Sequence, residues 1–70
     1  MLLLLFSANY FSIIEQATGM ALDVTSESGV TLYSYHGHDT QLWYWEDVDK
    51  TILLNKRFNI KLEFTNFAGL

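Results

Sequence analysis

The stretch Met20-Ala21-Leu22-Asp23-Val24-Thr25-Ser26-Glu27-Ser28-Gly29-Val30-Thr31-Leu32-Tyr33-Ser34-Tyr35 decides the fold class. In its first part Met20, Leu22 and Val24 point one way and Asp23 the other, because successive strand side chains alternate between faces. The core is expected to take the Met20 face, which leaves Asp23 available. In its last part Val30 and Leu32 share one face and Thr31, Tyr33 and Tyr35 the opposite one. The polar segment Thr25 to Gly29 between them has turn composition, so the two alternations predict a β-hairpin.

Outward from this hairpin the same pattern continues. Upstream, Tyr10 to Ile14 reads as a strand that ends at Ala17-Thr18-Gly19, where Gly19 can take a positive φ. Downstream, His36 to Thr40 reads as a loop, Gln41 to Trp45 as a strand, Glu46 to Lys50 as an acidic turn, and Thr51 to Leu54 as a strand. The cleanest alternation sets Phe58, Ile60, Leu62 and Phe64 against Asn59, Lys61 and Glu63, and it predicts a strand over 58–64. No helical stripe interrupts the series, and the chain contains no proline to remove a ladder donor. The expectation is an all-β chain of short antiparallel strands and hairpins. Met1 to Phe6 is apolar but has neither a basic flank nor a small-residue cleavage signal, and a membrane span needs about 20 residues. It is read as neither leader nor span. The chain thus divides into an apolar N-terminal segment (1–9), a strand-rich region (10–64) and a C-terminal tail (65–70).

Composition narrows the function classes. Seventy residues form one small domain at most, and at that size a chain buries only about 60% of its unfolded surface. Half the residues are hydrophobic and 16% aromatic, which is too apolar for a disordered chain. With no cysteine and two histidines, neither disulfides nor a rich metal site can reinforce so small a core, and assembly with other subunits is the expected remedy. A net charge of −4 repels nucleic-acid phosphates and anionic lipid, so neither nucleic acid nor membrane is expected as a partner.

The segment Thr18-Gly19-Met20-Ala21-Leu22-Asp23-Val24, followed by Gly29 to Gly37 with its Tyr35-His36-Gly37 end, and then by Gln41-Leu42-Trp43, resembles one repeat of the ricin B-type lectin family. The resemblance covers residues 10 to 54, and Thr51 to Phe64 looks like the opening of a second repeat. It implies a partial β-trefoil, with one full repeat plus the start of another. An internal match of Ala21-Leu22-Asp23-Val24 with Arg57-Phe58-Asn59-Ile60 is expected to align the two. Since a repeat cannot bury its apolar face alone, the resemblance also implies a homo-oligomer or part of a longer chain. Where many relatives carry a disulfide-bonded cysteine pair, this chain has Ala21 and Tyr35. The family suggests the secretory pathway, whereas the missing pair leaves a cytoplasmic address open.

Sugar recognition requires a carboxylate to accept bonds from hydroxyls, an aromatic face for the C–H side of the ring, and a polar group to fix orientation. By resemblance the carbohydrate-binding residues are Asp23, Tyr33, His36, Thr40 and Gln41, for a glycan of the galactose or N-acetylgalactosamine type. Asp23 would accept hydroxyls, Tyr33 would stack, and Thr40 stands where the family usually has Asn. Gln41 and Trp43 carry a structural role as well, the Gln tying loop backbone and the Trp filling the core. No cofactor or metal is expected: His36-x-His38-Asp39 is read as a solvated loop, and Glu46, Asp47 and Asp49 lack the glycine turn and later glutamate of a calcium loop. No nucleophile motif or phosphate-binding glycine loop occurs, so the chain is not expected to be an enzyme. The alternatives are a β-trefoil piece with a structural or protein-interaction role and no sugar, or a fragment of a longer lectin or glycosyltransferase-linked lectin domain.

Overall fold

A computed structural model describes residues 1–26 and 29–63. Glu27 and Ser28 of the expected turn, Phe64 of the expected last strand and the 65–70 tail lie outside the described residues. The protein is all-β, and its described residues form seven antiparallel strands in one sheet. They are β1 (Leu2–Ser7), β2 (Tyr10–Glu15), β3 (Met20–Ser26), β4 (Gly29–Ser34), β5 (Trp43–Trp45), β6 (Ile52–Asn55) and β7 (Lys61–Glu63), with a 3-10 turn at Asp39–Gln41.

The strand β2 organises the sheet. One of its edges pairs with β1 over the full length, from Leu2↔Glu15 to Ser7↔Tyr10. Its other edge is shared, Ile14 and Glu15 pairing with Ala21 and Met20 of β3 while Phe11 pairs with Trp43 of β5. A strand that changes partner partway along must splay the sheet, and β3 with β4 leaves as a hairpin while β5 returns to the wall. Phe11, Ile13, Val24, Trp43 and Leu53 fill the interior, with Leu2, Leu4, Trp45 and Leu62 packed at its margin.

Three sequence expectations are corrected. The N-terminal segment is a strand: Leu2 and Leu4 turn toward the core and Leu3 and Leu5 away from it. An unbroken apolar run hides that alternation, because it carries no polar residue to mark the outer face. The expected strand over 58–64 begins only at Lys61. Asn59 has φ 54, outside the extended region, and residues 56–60 form the loop of the β6–β7 hairpin. Third, β3 does not bury the Met20 face alone. Ala21 and Asp23 are buried beside Val24, and Met20 is exposed. Asp23 is drawn in by the Gln41 amide that donates to its carboxylate, while the register with β4 stays regular from Met20 to Val24 and breaks only between Val24 and Ser26.

The hydrogen bonds repeat along the chain. Glu15 accepts from the backbone N–H of Ala17 and Thr18, and Asn55, at the corresponding corner of the β6–β7 hairpin, accepts from those of Arg57 and Phe58. Gly19 N–H donates to the Glu15 carbonyl as Asn59 N–H does to that of Asn55. Gln16 N–H reaches the Met1 carbonyl as Lys56 N–H reaches that of Leu42. Strand pairing follows suit, with Ile14↔Ala21 matched by Leu54↔Lys61 and Leu2↔Glu15 by Trp43↔Asn55. The segment equivalent to Ala21-Leu22-Asp23 is therefore Lys61-Leu62-Glu63, not Arg57 to Asn59, which corrects the alignment expected from sequence.

Candidate functional site

The site grows from Gln41. The 3-10 turn Asp39–Gln41, closed by Gln41 N–H on the His38 carbonyl and Leu42 N–H on that of Asp39, directs the Gln41 side chain into the interior, where it is fully buried. Its Oε1 accepts from His36 N–H at 2.8 Å and Gly37 N–H at 3.2 Å. Its Nε2 donates to Asp23 Oδ2 and to the Ser34 carbonyl, each at 2.8 Å. A primary amide offers two donors and one acceptor oxygen with two lone pairs, so this side chain is saturated. Gln41 ties β3, the end of β4 and the loop at 36–37 together, and it has no hydrogen-bonding capacity left for a ligand. Gly37 makes the turn possible: its φ is 75, and a Cβ there would lie 3.3 Å from Tyr35 Oη.

Asp23, expected on the open face, is 3% exposed. Its Oδ2 takes both the Gln41 amide and the ring of His36, whose Nε2 lies 3.5 Å away. Register pairs Ala21 with Tyr33 and Asp23 with Thr31, and cross-strand partners share a face, so Asp23 and Tyr33 are diagonal neighbours on one face. Tyr33 is 55% exposed, with its ring centroid 6.4 Å from that of His36. His36 Nδ1 accepts from His38 N–H at 3.0 Å, and the two imidazoles sit 4.9 Å apart.

Thr40 is half-buried, and its backbone carbonyl accepts from Asn55 Nδ2 at 2.9 Å. The structure thus brings Asp23, Tyr33, His36 and Gln41 together, with Thr40 next to them on the 3-10 turn. Sequence reasoning missed two participants. Asn55 holds the turn from below and is fully buried, yet in sequence it reads only as a polar residue at a strand end. The His38 backbone N–H has no sequence signal at all.

Asp39 turns away from this cluster to Lys56, 3.2 Å distant. Among the described residues no group of three or more histidine or acidic side chains is placed to hold a metal ion. The Asp47 carboxylate caps its own turn, accepting from Thr51 N–H, Ile52 N–H and the Thr51 hydroxyl. Trp43 Nε1 donates to the Leu22 carbonyl at 3.1 Å, anchoring β5 against β3. Among the described residues no helix is long and apolar enough to cross a membrane.

Comparison of the chain with protein-family models, curated proteins and solved structures returned no match.

Proposed function

We propose that this protein is a carbohydrate-binding module, not an enzyme, built as one full β-trefoil repeat and part of a second. The observation that carries the reading is the shared face of a carboxylate and an open aromatic ring, Asp23 and Tyr33, beside a polar loop. A galactose or N-acetylgalactosamine unit stacks its C–H face on Tyr33 and donates a hydroxyl to Asp23. Because Gln41 and His36 converge on Oδ2, the ligand is assigned to Oδ1. Thr40 and His36 line the rim. The trefoil part of the reading is supported by the divided edge of β2 and by the hydrogen-bond pattern that recurs from Glu15 to Asn55, since a recurring supersecondary unit is what a repeat architecture requires.

Exposed apolar side chains on β1 and on the β3–β4 hairpin, among them Phe6 at 72%, suit a protein covered by further copies or by the rest of a longer chain. Nucleic acid and membrane are not proposed as partners. The test is a titration with galactose followed by amide NMR. Movement of the Asp23, Tyr33 and Thr40 resonances at millimolar sugar supports the module, and immobility of all three overturns it.

The burial of Asp23 favours a second reading, in which its carboxylate only receives Gln41 and the unit serves structure or protein interaction. Tyr33→Ala separates the two. A sugar binder loses ligand and keeps its fold, whereas a structural Tyr33 takes stability with it.

A further inference from the structure

We propose that His36 is a proton-operated gate over the Asp23 carboxylate. Its effect on ligand rests on the sugar-binding reading; the gate itself does not. The imidazole is held at Nδ1, and its Nε2 faces the Asp23 carboxylate. Nδ1 accepts a hydrogen bond from His38 N–H, so it carries a lone pair, and the ring proton of the neutral form resides on Nε2, facing Asp23. At 3.5 Å that contact is longer than a normal hydrogen bond. The His38 backbone restrains the ring just short of the carboxylate.

A second proton can enter only at Nδ1, where the His38 N–H already points from 3.0 Å. Two donors then face each other, and the bond that restrained the ring becomes a repulsion. Once released, the imidazolium is drawn to the Asp23 charge, with room to shorten the 3.5 Å contact to the roughly 2.7–2.9 Å of a charge-assisted bond. The closed ring covers a carboxylate whose side chain is only 5% exposed to begin with.

The other groups facing His36 do not reverse this. Tyr33 on β4 meets the imidazole edge-on, with ring centroids 6.4 Å apart. His38, with its ring 4.9 Å away, repels His36 if it also takes a proton, which again separates the two. Asp39 of the 3-10 turn is engaged by Lys56. Acid therefore shuts the site, and by linkage a ligand on Asp23 makes His36 harder to protonate.

The experiment is a pH titration of the full chain by 15N NMR without ligand. At the alkaline end His36 should show an unprotonated Nδ1 and a protonated Nε2. On acidification its ring and the His38 amide should move with one midpoint. The opposite tautomer, or a His38 amide that ignores the His36 transition, overturns the gate. Two variants isolate the N–H: His38→Ala keeps it, and His38→Pro removes it at a residue whose φ of −78 suits proline. The midpoint in H38P should lie higher than in H38A, because the donor that favours the unprotonated Nδ1 is gone; equal midpoints overturn the proposal. If H38P does not fold, the tautomer and the coupled midpoint of the native chain decide. Galactose is then titrated at pH 7.5 and 5.5, with at least about threefold weaker binding expected in acid. A coupled His36 transition with no galactose binding at either pH leaves the gate standing and removes the sugar reading. Binding of equal strength at both pH values leaves the sugar reading standing and overturns the gate.

Discussion

Glu15 and Asn55 occupy the same corner of two hairpins: each ends a strand, and each accepts the backbone N–H groups two and three residues ahead of it. They differ in what surrounds them. Glu15 lies at the surface and adds the Thr18 hydroxyl to its partners, whereas Asn55 is fully buried and uses its Nδ2 to hold the Thr40 and Leu42 carbonyls. A side-chain oxygen placed here satisfies turn donors that no strand can reach, so the chain solves one local problem twice with two side chains of different charge.

Asn55→Ala therefore removes the acceptor of the Arg57 and Phe58 N–H groups and the donor to the Thr40 carbonyl in a half-buried corner. An orphaned polar group costs about 1–3 kcal/mol when buried, and because water reaches part of this corner the substitution is expected to lower unfolding free energy by about 2 kcal/mol. Urea denaturation reads it from the midpoint at constant slope. Glu15→Ala should cost clearly less, since water replaces the lost partners; a larger loss there than at Asn55 contradicts the account.

Gly19 and Asn59 fill equivalent positions in these corners, with φ of 74 and 54. A β-branched residue in this left-handed region costs about 1–2 kcal/mol, while Asn tolerates it. Gly19→Asn is accordingly expected to change stability by less than about 1 kcal/mol, and Gly19→Val to cost more, although open space surrounds the site. Equal effects of the two substitutions in thermal melts would show that side-chain packing, not backbone geometry, governs the corner.

Gln41→Glu replaces an amide donor with an oxygen facing Asp23 Oδ2 across 2.8 Å. Two carboxylates in that geometry cannot both ionise, so one retains a proton that the unfolded chain releases. The folded variant then binds more protons than the unfolded one, and its stability falls as pH rises through the carboxylate range. At pH 7 it should lie about 3 kcal/mol below the native protein, and recover a large part of that at pH 4.5. Urea midpoints at both pH values check this, and an unchanged difference rules out the Gln41–Asp23 contact as its source.

The strands were legible wherever polar and apolar residues alternate, as in β3 and β4, because alternation records which face meets water. Strand β1 was not, since Leu2 to Leu5 carry no such record and only the pairing with β2 sorts them. The alternation from Phe58 to Phe64 misled for the opposite reason: an Asn tolerant of positive φ sits inside it, and the Asn55 cap closes a turn there. Gln41 and Trp43 were readable as structural residues. The burial of Asp23 was not, because it follows from the Gln41 amide arriving from 18 positions away, and no local pattern reports a contact made by the 3-10 turn.

Two surface carboxylates should shape the acid limb of stability. Hydrogen bonds from the Thr18 hydroxyl and the Ala17 N–H hold the Glu15 carboxyl below the ordinary glutamate range. The Thr51 hydroxyl, followed by the backbone N–H groups of Ile52 and Thr51, does the same for Asp47. A carboxyl more acidic in the folded than in the unfolded chain contributes stability that is complete above its unfolded pKa and is lost as pH falls through the folded one. Stability should therefore be level from pH 7 to 5 as far as these two groups are concerned, and decline below it. Thr18→Ala and Thr51→Ala each remove the largest cause, so each should weaken the protein at pH 6 and flatten its decline toward pH 2.5. Urea midpoints measured across that range decide the matter, because an equal loss at every pH would mean that the hydroxyls stabilise the turns without acting through the carboxylates.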